Sequence, residues 1–378
     1  MKLRELLAGV PICAGSADLE MEISGVSYDS RTTRPGDLFV AMTGFATDGH
    51  QYIAKALANG AAAVLCQRRP AEACAYVQTE DSRRALAVIG GNWFGHPAEE
   101  MTMIAVTGTC GKTTTTYLLK AILEQARGAK VGLIGTNQNM IGSDVIPTER
   151  TTPESFEVQK LFRKMADAGC THVVMETSSH ALYLDRVYGV RYDVGIFTNL
   201  TQDHLDFHKT MENYCDAKAI LFRNCVTGVV NADDPWTPRL LKDADCKVMT
   251  YAEQADADLR AENIVLSAGG IAFDAVSGAE RAPIRVNIPG GFMVYNTLDV
   301  LGAALALGIS LEESAAVLAQ VPHVKGRVEI VPTPDKDYTI LIDYAHTPDS
   351  MVNVLQTVKE FAKGRTVAVF GCGGDRDR

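Results

Sequence analysis

No stretch of this chain approaches the roughly eighteen consecutive apolar residues that a membrane-spanning helix requires. The opening "MKLRELLAGVPICAG" has no long apolar core and reads as a short amphipathic helix. Positive charge is also short. Lys and Arg number 36 against 46 Asp and Glu, a formal net charge of −10. A general nucleic-acid binder needs a basic face to neutralise phosphates, so that class is excluded and phosphate-binding groups have to be concentrated locally. The nine cysteines are scattered, several in apolar settings such as "AAVLCQ", and none forms a Cys-x-x-Cys pair. This argues against a zinc site or a disulfide framework and for reduced thiols in a cytoplasm. Internal repeats and low-complexity linkers are absent too. What is present, 47% hydrophobic and 22% charged residues over 378 positions, is ordinary for a globular chain of a few domains.

The most informative stretch is "MIAVTGTCGKTTTTYLLKAIL". Met103 to Val106 reads as a buried strand, and Leu118, Leu119, Ile122 and Leu123 recur with helical spacing. Between them stands Gly108-Thr109-Cys110-Gly111-Lys112-Thr113, a phosphate-binding loop with Val106 where the usual pattern has its first glycine. The chemistry survives that change. Gly108 and Gly111 let the backbone turn its N–H groups inward, and the following helix adds its positive end. Lys112 supplies a mobile, solvent-facing cation, and the Thr113 hydroxyl can ligate Mg²⁺. ATP is the expected ligand.

The chain divides into residues 1–98, with short strands and the helical "YIAKALANG"; 99–328, where strands and helices alternate; and 329–378. The alternation predicts an α/β fold, with a small N-terminal α/β domain and a central, mostly parallel sheet carrying helices on both faces. Ligands then sit at the carboxyl ends of the strands. The last segment predicts a strand in "YTILIDYAH", a helix through "SMVNVLQTVKEFAKG" and a strand "RTVAVFG", the start of an incomplete Rossmann-like domain.

Three polar clusters follow predicted strands. Glu176 directly succeeds the apolar run of "THVVMETSS", a place that suits Mg²⁺ or an ordered water, although a helix start capped by Thr177 or Ser178 would look the same. "FTNLTQDHLDFH" packs Asn199, Asp203, His204, Asp206 and His208 after another strand, more metal-capable groups than a solvated loop needs. Zinc fits poorly, because Cys215 and Cys225 lack a matching pair pattern. In "YCDAKAILF", Lys218 stands among small and apolar neighbours, where a helix-surface lysine is the plain alternative.

The set "TGTCGKTT", "METSSHAL", "TNLTQDHLDFH", "YCDAK", "DYAHTPDS" and "GCGGDRD", with "SYDSRTTRPGDLFVAMTGFATDGHQYI" near the start, resembles the Mur ligase family. Within it, the chain is most similar to the MurE type, the UDP-N-acetylmuramoyl-tripeptide synthetases. That family uses the shortened P-loop seen here. The resemblance implies that residues 1–98 hold the uridine nucleotide, 99–328 the ATP and 329–378 the incoming amino acid. The implied reaction is ATP-dependent addition of a diamino acid, meso-diaminopimelate or L-lysine, to UDP-MurNAc-L-Ala-D-Glu through an acyl phosphate. Peptidoglycan precursor synthesis in the cytoplasm, by a monomer, is the implied setting.

Carried onto matching positions, the resemblance implies that Gly108, Thr109, Cys110, Gly111, Lys112, Thr113 and Thr114 cradle the ATP phosphates, Cys110 through its backbone. Thr113 and Glu176 would hold one Mg²⁺, and His204 would help hold a second. Asn296, Arg327 and Asp343 would face the ATP base, ribose or phosphates. Ser30 would contact the uridine nucleotide, and Thr151, Thr152, Ser178 and Arg186 the muramoyl-dipeptide. Lys112, Glu176, His204 and Lys218 form the implied catalytic set. Lys218 matches a lysine that the family carries as a carbamate and so as a metal ligand. Near the metal that is reasonable: an ammonium about 4 Å from Mg²⁺, at an effective dielectric of 20, suffers on the order of 8 kcal/mol of repulsion. A carbamate would replace it with an anionic oxygen.

There are departures from the family pattern. Cys110 stands where asparagine is frequent, Met293 in "GGFMVYN" replaces an asparagine, and the segment around Leu184 lacks a polar residue that some relatives use. A P-loop regulatory ATPase, or another Mur or folylpolyglutamate-type ligase, is the competing reading. The first does not account for "DSR" or Lys218, and "DYAHTPDS" and "METSSHAL" speak against the second. With only one strand-helix-strand unit after residue 328, the expectation is a C-terminally truncated chain. Such a chain would bind nucleotide without acting as a ligase, and the residues selecting the diamino acid would lie beyond Arg378.

Overall fold

The computed structural model describes residues 1–44, 47–267 and 269–371. These form two compact units.

The first unit comprises Met1–Glu100 together with Pro153–Asp167 and Leu184–Val190. Its five-stranded sheet runs in the order Ala14–Gly15, Tyr76–Gln78, Ala63–Cys66, Asp37–Val40, Gly25–Ser27, parallel except at the Ala14–Gly15 edge. Asp37–Val40 and Ala63–Cys66 are buried at every position, as strands covered on both faces are. Leu38, Val40, Leu65 and Val77 pack with Leu3, Leu6, Leu86 and Ile89 in one core. The helix Ser82–Phe94 starts where the Asp81 carboxylate accepts the N–H groups of Arg83 and Arg84, and it stops at Gly95 in the left-handed region (φ 71°). The helix Ser155–Asp167 packs against it, and Glu157 on that helix accepts a short hydrogen bond from the Tyr28 hydroxyl.

The second unit comprises Met101–Thr152, Ala168–Tyr183 and Arg191–Arg378. Its sheet has 11 strands. Thr102–Thr107 lies between His172–Glu176 and Tyr192–Phe197. Beyond the former comes Val131–Ile134; beyond the latter come Cys225–Asn231, Lys247–Ala252 and Leu259–Ser267. All these pairs are parallel. Antiparallel strands finish both edges: Asn139–Ile141 and Asp144–Ile146 on one, Gly270–Ser277 and Glu280–Val286 on the other. The mostly parallel α/β architecture is the one expected; the antiparallel edges are additions. Leu118, Leu119, Ile122 and Leu123 of the helix Lys112–Arg127 are all buried against Ile104, Val106 and Val174.

The sheet also explains the valine of the shortened P-loop. Val106 is a fully buried strand residue, paired with Glu176 on one side and Ile196 on the other. The turn begins only at Gly108, so a glycine at 106 would remove core side chain without helping the loop.

After residue 328 the structure holds a two-stranded antiparallel pair, Glu329–Val331 with Ile340–Ile342, and the helix Pro348–Phe361, capped by the Thr347 hydroxyl. The strand expected at 365–371 is not there. Val367, Val369 and Phe370 are exposed, Val369 to 96%, and no strand among the described residues pairs with their backbone. β-propensity forms no strand without a partner ladder. Of the "GCGGDRD" motif, all but Gly371 lies outside the described residues. Among the described residues no helix is long and apolar enough to cross a membrane.

Candidate active site

The strand Thr102–Thr107 is where the sheet changes direction, since successive connections run to one side and then to the other. Crevices at the carboxyl ends of strands at such a point are the usual ligand sites of open α/β sheets. Three chain segments leave the sheet there: 108–111, 177–178 and 198–204.

The first is the glycine loop. Gly108 has φ 147° and Gly111 φ 91°. A Cβ on Gly108 would stand 1.8 Å from Thr198 Oγ1, and one on Gly111 2.5 Å from Asn296 Oδ1, so a side chain at either position would be strained and would have to displace those atoms. Side chains of the 198–204 segment hold the loop in place. Thr198 donates to the Cys110 carbonyl (2.6 Å), Asn199 Oδ1 accepts from Cys110 N–H (3.0 Å) and Asn199 Nδ2 donates to the Cys110 carbonyl (3.2 Å). Thr109 Oγ1 accepts from Thr201 N–H (3.0 Å) and lies 3.2 Å from the Tyr214 hydroxyl. The side chains of Thr198 and Asn199 thus hold the Cys110 backbone, and the Thr109 hydroxyl ties the loop to Thr201.

Lys112 was expected to face solvent. Its Nζ instead folds back onto the loop, donating to the carbonyls of Gly108 (2.9 Å) and Thr109 (2.8 Å). Burial lowers its pKa, with the charge of Glu176 opposing. Lys218, 1% exposed, donates to that same Gly108 carbonyl (2.9 Å) and lies over the Tyr214 ring, 4.4 Å from its centroid. Burial first, and Lys112 second, push its pKa well below the ordinary lysine value. His204 adopts φ 56°, its Nε2 stands 3.4 Å from Asp203 Oδ2, and its ring lies edge-on to Tyr214 at 6.1 Å. Burial lowers its pKa, and Lys218 and Lys112 add to that, so His204 shares their electrostatic neighbourhood.

Beside the loop, Glu176 is 1% exposed and accepts from the Thr113 hydroxyl (2.9 Å), from Thr136 N–H (2.9 Å) and from the Thr136 hydroxyl (2.9 Å). Arg327 Nη2 donates to Thr113 Oγ1 (2.8 Å). Thr151 lies 3.0 Å from Thr136 through their hydroxyls. Thr152 donates to the Glu176 carbonyl (2.8 Å) and accepts from Ser178 N–H (3.2 Å), while Ser178 Oγ caps the next turn at Ala181 N–H (3.1 Å). A carboxylate and a hydroxyl side by side are hard oxygen donors of the kind Mg²⁺ takes, so these residues fit that ion.

Other sites named from the sequence are placed as follows. Thr114 is buried on the first helical turn. Asn296 is buried, its Nδ2 donating to Met293 Sδ at 3.7 Å, so the methionine that departs from the family pattern supports the asparagine from below. Asp343 spends both oxygens on backbone N–H groups, those of Val328 (2.8 Å) and Ala345 (2.7 Å), which anchors the segment behind Arg327. Ser30 and Arg186 belong to the first unit. Ser30 is buried, with its carbonyl accepting from Asn59 Nδ2 (2.7 Å); Arg186 Nε stands 3.5 Å from Glu154, which Arg83 also approaches at 3.6 Å. Sequence reading missed Thr136, whose position just after the strand Val131–Ile134 was the available signal. It also missed Thr115 and Asp299, for which there was none.

Comparison with known proteins gives three consecutive family matches. They are the Mur ligase family catalytic domain over residues 22–92, the Mur ligase middle domain over 106–304 and the Mur ligase glutamate ligase domain over 326–378. A UDP-N-acetylmuramoyl-L-alanyl-D-glutamate--2,6-diaminopimelate ligase of Clostridium botulinum is 48% identical over 94% of this chain and 75% of its own length. One from Clostridium acetobutylicum is 46% identical over 100% of this chain and 79% of its own. A solved structure of a ligase of the same name superposes with a TM-score of 0.82 at 29% identity, covering 100% of this chain and 78% of that one.

Proposed function

Because this chain belongs to the Mur ligase family, we propose that it joins 2,6-diaminopimelate to UDP-N-acetylmuramoyl-L-alanyl-D-glutamate at the expense of ATP, in the cytoplasmic synthesis of peptidoglycan precursors. The observation that carries the site assignment is the meeting of Thr113 and Glu176 at the lip of a glycine loop crowded by Lys112 and Lys218.

A free carboxylate resists nucleophiles. In the reaction a carboxylate oxygen of the D-glutamyl residue attacks the γ-phosphorus and ADP leaves. The diaminopimelate amine then attacks the acyl phosphate, losing a proton and expelling phosphate as the amide forms. Little of this needs covalent help from the protein; positioning and charge stabilisation do most of it. The N–H groups of the loop and of the first turn after Gly111 receive the phosphates. Lys112 exchanges its two carbonyl partners for phosphate oxygens, a movement its flexible stem permits. Thr113 and Glu176 would hold Mg²⁺, with Thr136 orienting the carboxylate from behind. When bound, the ion neutralises charge building on the phosphate oxygens.

Lys218 takes a second part in this reading. Burial pushes its pKa well below the ordinary lysine value, which favours the neutral, nucleophilic amine that adds to CO₂ and then sheds a proton. The carbamate would join His204 as a ligand for a second Mg²⁺ and would relieve the repulsion from Lys112. Asn296 and Arg327 are proposed to contact the nucleotide. Thr151, Thr152, Ser178, Ser30 and Arg186 are proposed to contact the UDP-linked dipeptide, and the protein is proposed to act as a monomer.

The test is ADP formation with Mg²⁺ and ATP, with and without UDP-MurNAc-L-Ala-D-Glu, followed by mass analysis for tripeptide with meso-diaminopimelate or L-lysine. ADP formation that depends on the UDP-linked dipeptide is expected. Equal ADP formation without it would replace the ligase reading with a P-loop ATPase.

A further inference from the structure

The buried helix Phe292–Ala306 carries an acid that the proposed reaction does not use. Asp299 is 0% exposed, and its two oxygens lie 3.0 and 2.9 Å from the Thr115 hydroxyl. Thr115 is also fully buried, and it stands on the first turn of the helix that follows the glycine loop. One hydroxyl has one proton, so it can donate to only one of two carboxylate oxygens. A charged carboxylate here would be left with a near-neighbour oxygen and no proton between them. Burial pushes the Asp299 carboxyl well above its ordinary range, against the opposing hydrogen bonds of the Thr115 hydroxyl and the Val300 N–H. The arrangement therefore suits a neutral acid that accepts from Thr115 through one oxygen and donates to it through the other.

Two further contacts give this pair its consequence. Thr115 N–H donates to the Gly111 carbonyl at 3.0 Å, so displacement of Thr115 is passed to the loop. One turn earlier on the buried helix, Asn296 Oδ1 stands 2.5 Å from where a Cβ on Gly111 would fall. Residues 296 and 299, three apart and on one helix face, thus press on the two ends of the same turn.

We infer that Asp299 is a positioning residue of the phosphate loop, clamping the first turn of the loop's helix through a two-way hydrogen bond with Thr115. It touches no phosphate itself. It sets where the N–H groups after Gly111 point, and a misplacement well under 1 Å is enough to weaken such a site. The inference rests on the ATP site proposed above.

The experiment compares Mg·ATP affinity by calorimetry for the wild type, Asp299→Asn, Asp299→Ala, Thr115→Val and the Asp299→Ala/Thr115→Val double variant. UDP-MurNAc-L-Ala-D-Glu affinity and amide hydrogen exchange over residues 111–115, without nucleotide, are measured alongside. Asn keeps one donor and one acceptor, so Asp299→Asn should bind ATP within about two-fold of wild type. Asp299→Ala and Thr115→Val should each lose roughly ten-fold in ATP affinity, and the double variant no more than either. Affinity for the UDP-linked dipeptide should stay unchanged, and exchange at 111–115 should quicken in the Ala and Val variants alone. Wild-type ATP affinity in both those variants, or equal losses for both ligands, would overturn the inference. A wild type that binds no ATP would remove the nucleotide-site reading instead, and the exchange pattern would still decide whether the clamp exists.

Discussion

Lys112 and Lys218 bring their ammonium nitrogens to a single acceptor, the Gly108 carbonyl, each at 2.9 Å. Two full positive charges on one oxygen in a largely dry site repel strongly. The cost is lowest when one amine gives up its proton, and Lys218, the more buried of the two, is the one whose pKa falls well below its usual value. That links a packing fact to the chemistry expected of Lys218. With ¹³C-bicarbonate, the wild type should show a protein-bound carbamate resonance that disappears in Lys218→Ala. The variant should be nearly inactive in dipeptide-dependent ADP formation and partly restored by acetate, which can stand in as a small oxygen ligand. A wild type without the carbamate resonance would refute the assignment.

Lys112→Ala removes two hydrogen bonds from the resting loop and a charge from the occupied one. A charge-assisted hydrogen bond is worth about 1.5–3 kcal/mol, so ATP affinity should fall by roughly ten- to a hundred-fold. The fold should persist, because the buried core beneath the loop is untouched. Calorimetric ATP binding beside a circular dichroism melt checks both halves, and undiminished binding by a folded variant would refute the phosphate-site assignment.

Thr113→Ala should act differently. Its hydroxyl bonds Glu176 and Arg327 and is the proposed metal ligand. The expected effect is a higher Mg²⁺ requirement, by several-fold, with ATP affinity at saturating Mg²⁺ much less changed. Titration of dipeptide-dependent ADP formation with Mg²⁺ reads this directly, and an unshifted titration counts against the metal role.

Acid stability should report on His208. Its Nε2 lies 2.9 Å from Ser179 Oγ, the residue is 4% exposed, and burial, with His180 next, lowers its pKa to about 4 from 6.5. Between these values the unfolded chain holds a proton that the native protein excludes. Stability should therefore fall as pH drops through that window, at up to about 1.4 kcal/mol per pH unit, and this contribution is absent above it. His208→Gln cannot titrate and should flatten the decline of Tm between pH 6.5 and 4. An acid slope identical to wild type would show that another group carries it.

Much of the site could be read along the chain because its parts are local. Strand, two glycines, Lys112, Thr113 and an amphipathic helix are neighbours in sequence, and the helix's buried positions follow from their spacing alone. Glu176 was legible because it ends an apolar run, and ends of buried strands in parallel sheets face the crevice. Lys218 was legible only through resemblance, since a lysine on a short helix has no periodic signature of its own.

Tertiary structure decided everything that depends on which strand lies beside which. Val106 reads as a strand residue from the sequence alone, but that Glu176 and Ile196 are its partners on either side was set by the sheet. The apolar run at 365–371 looked like a strand and forms none, since among the described residues no strand supplies it a ladder. Arg327 reaches Thr113 across 214 residues and Asp299 reaches Thr115 across 184. Local sequence determines turns and helix faces, since those contacts close within a few residues. A hydrogen bond between distant residues exists only once the whole sheet has set their separation, and no spacing in the chain encodes it.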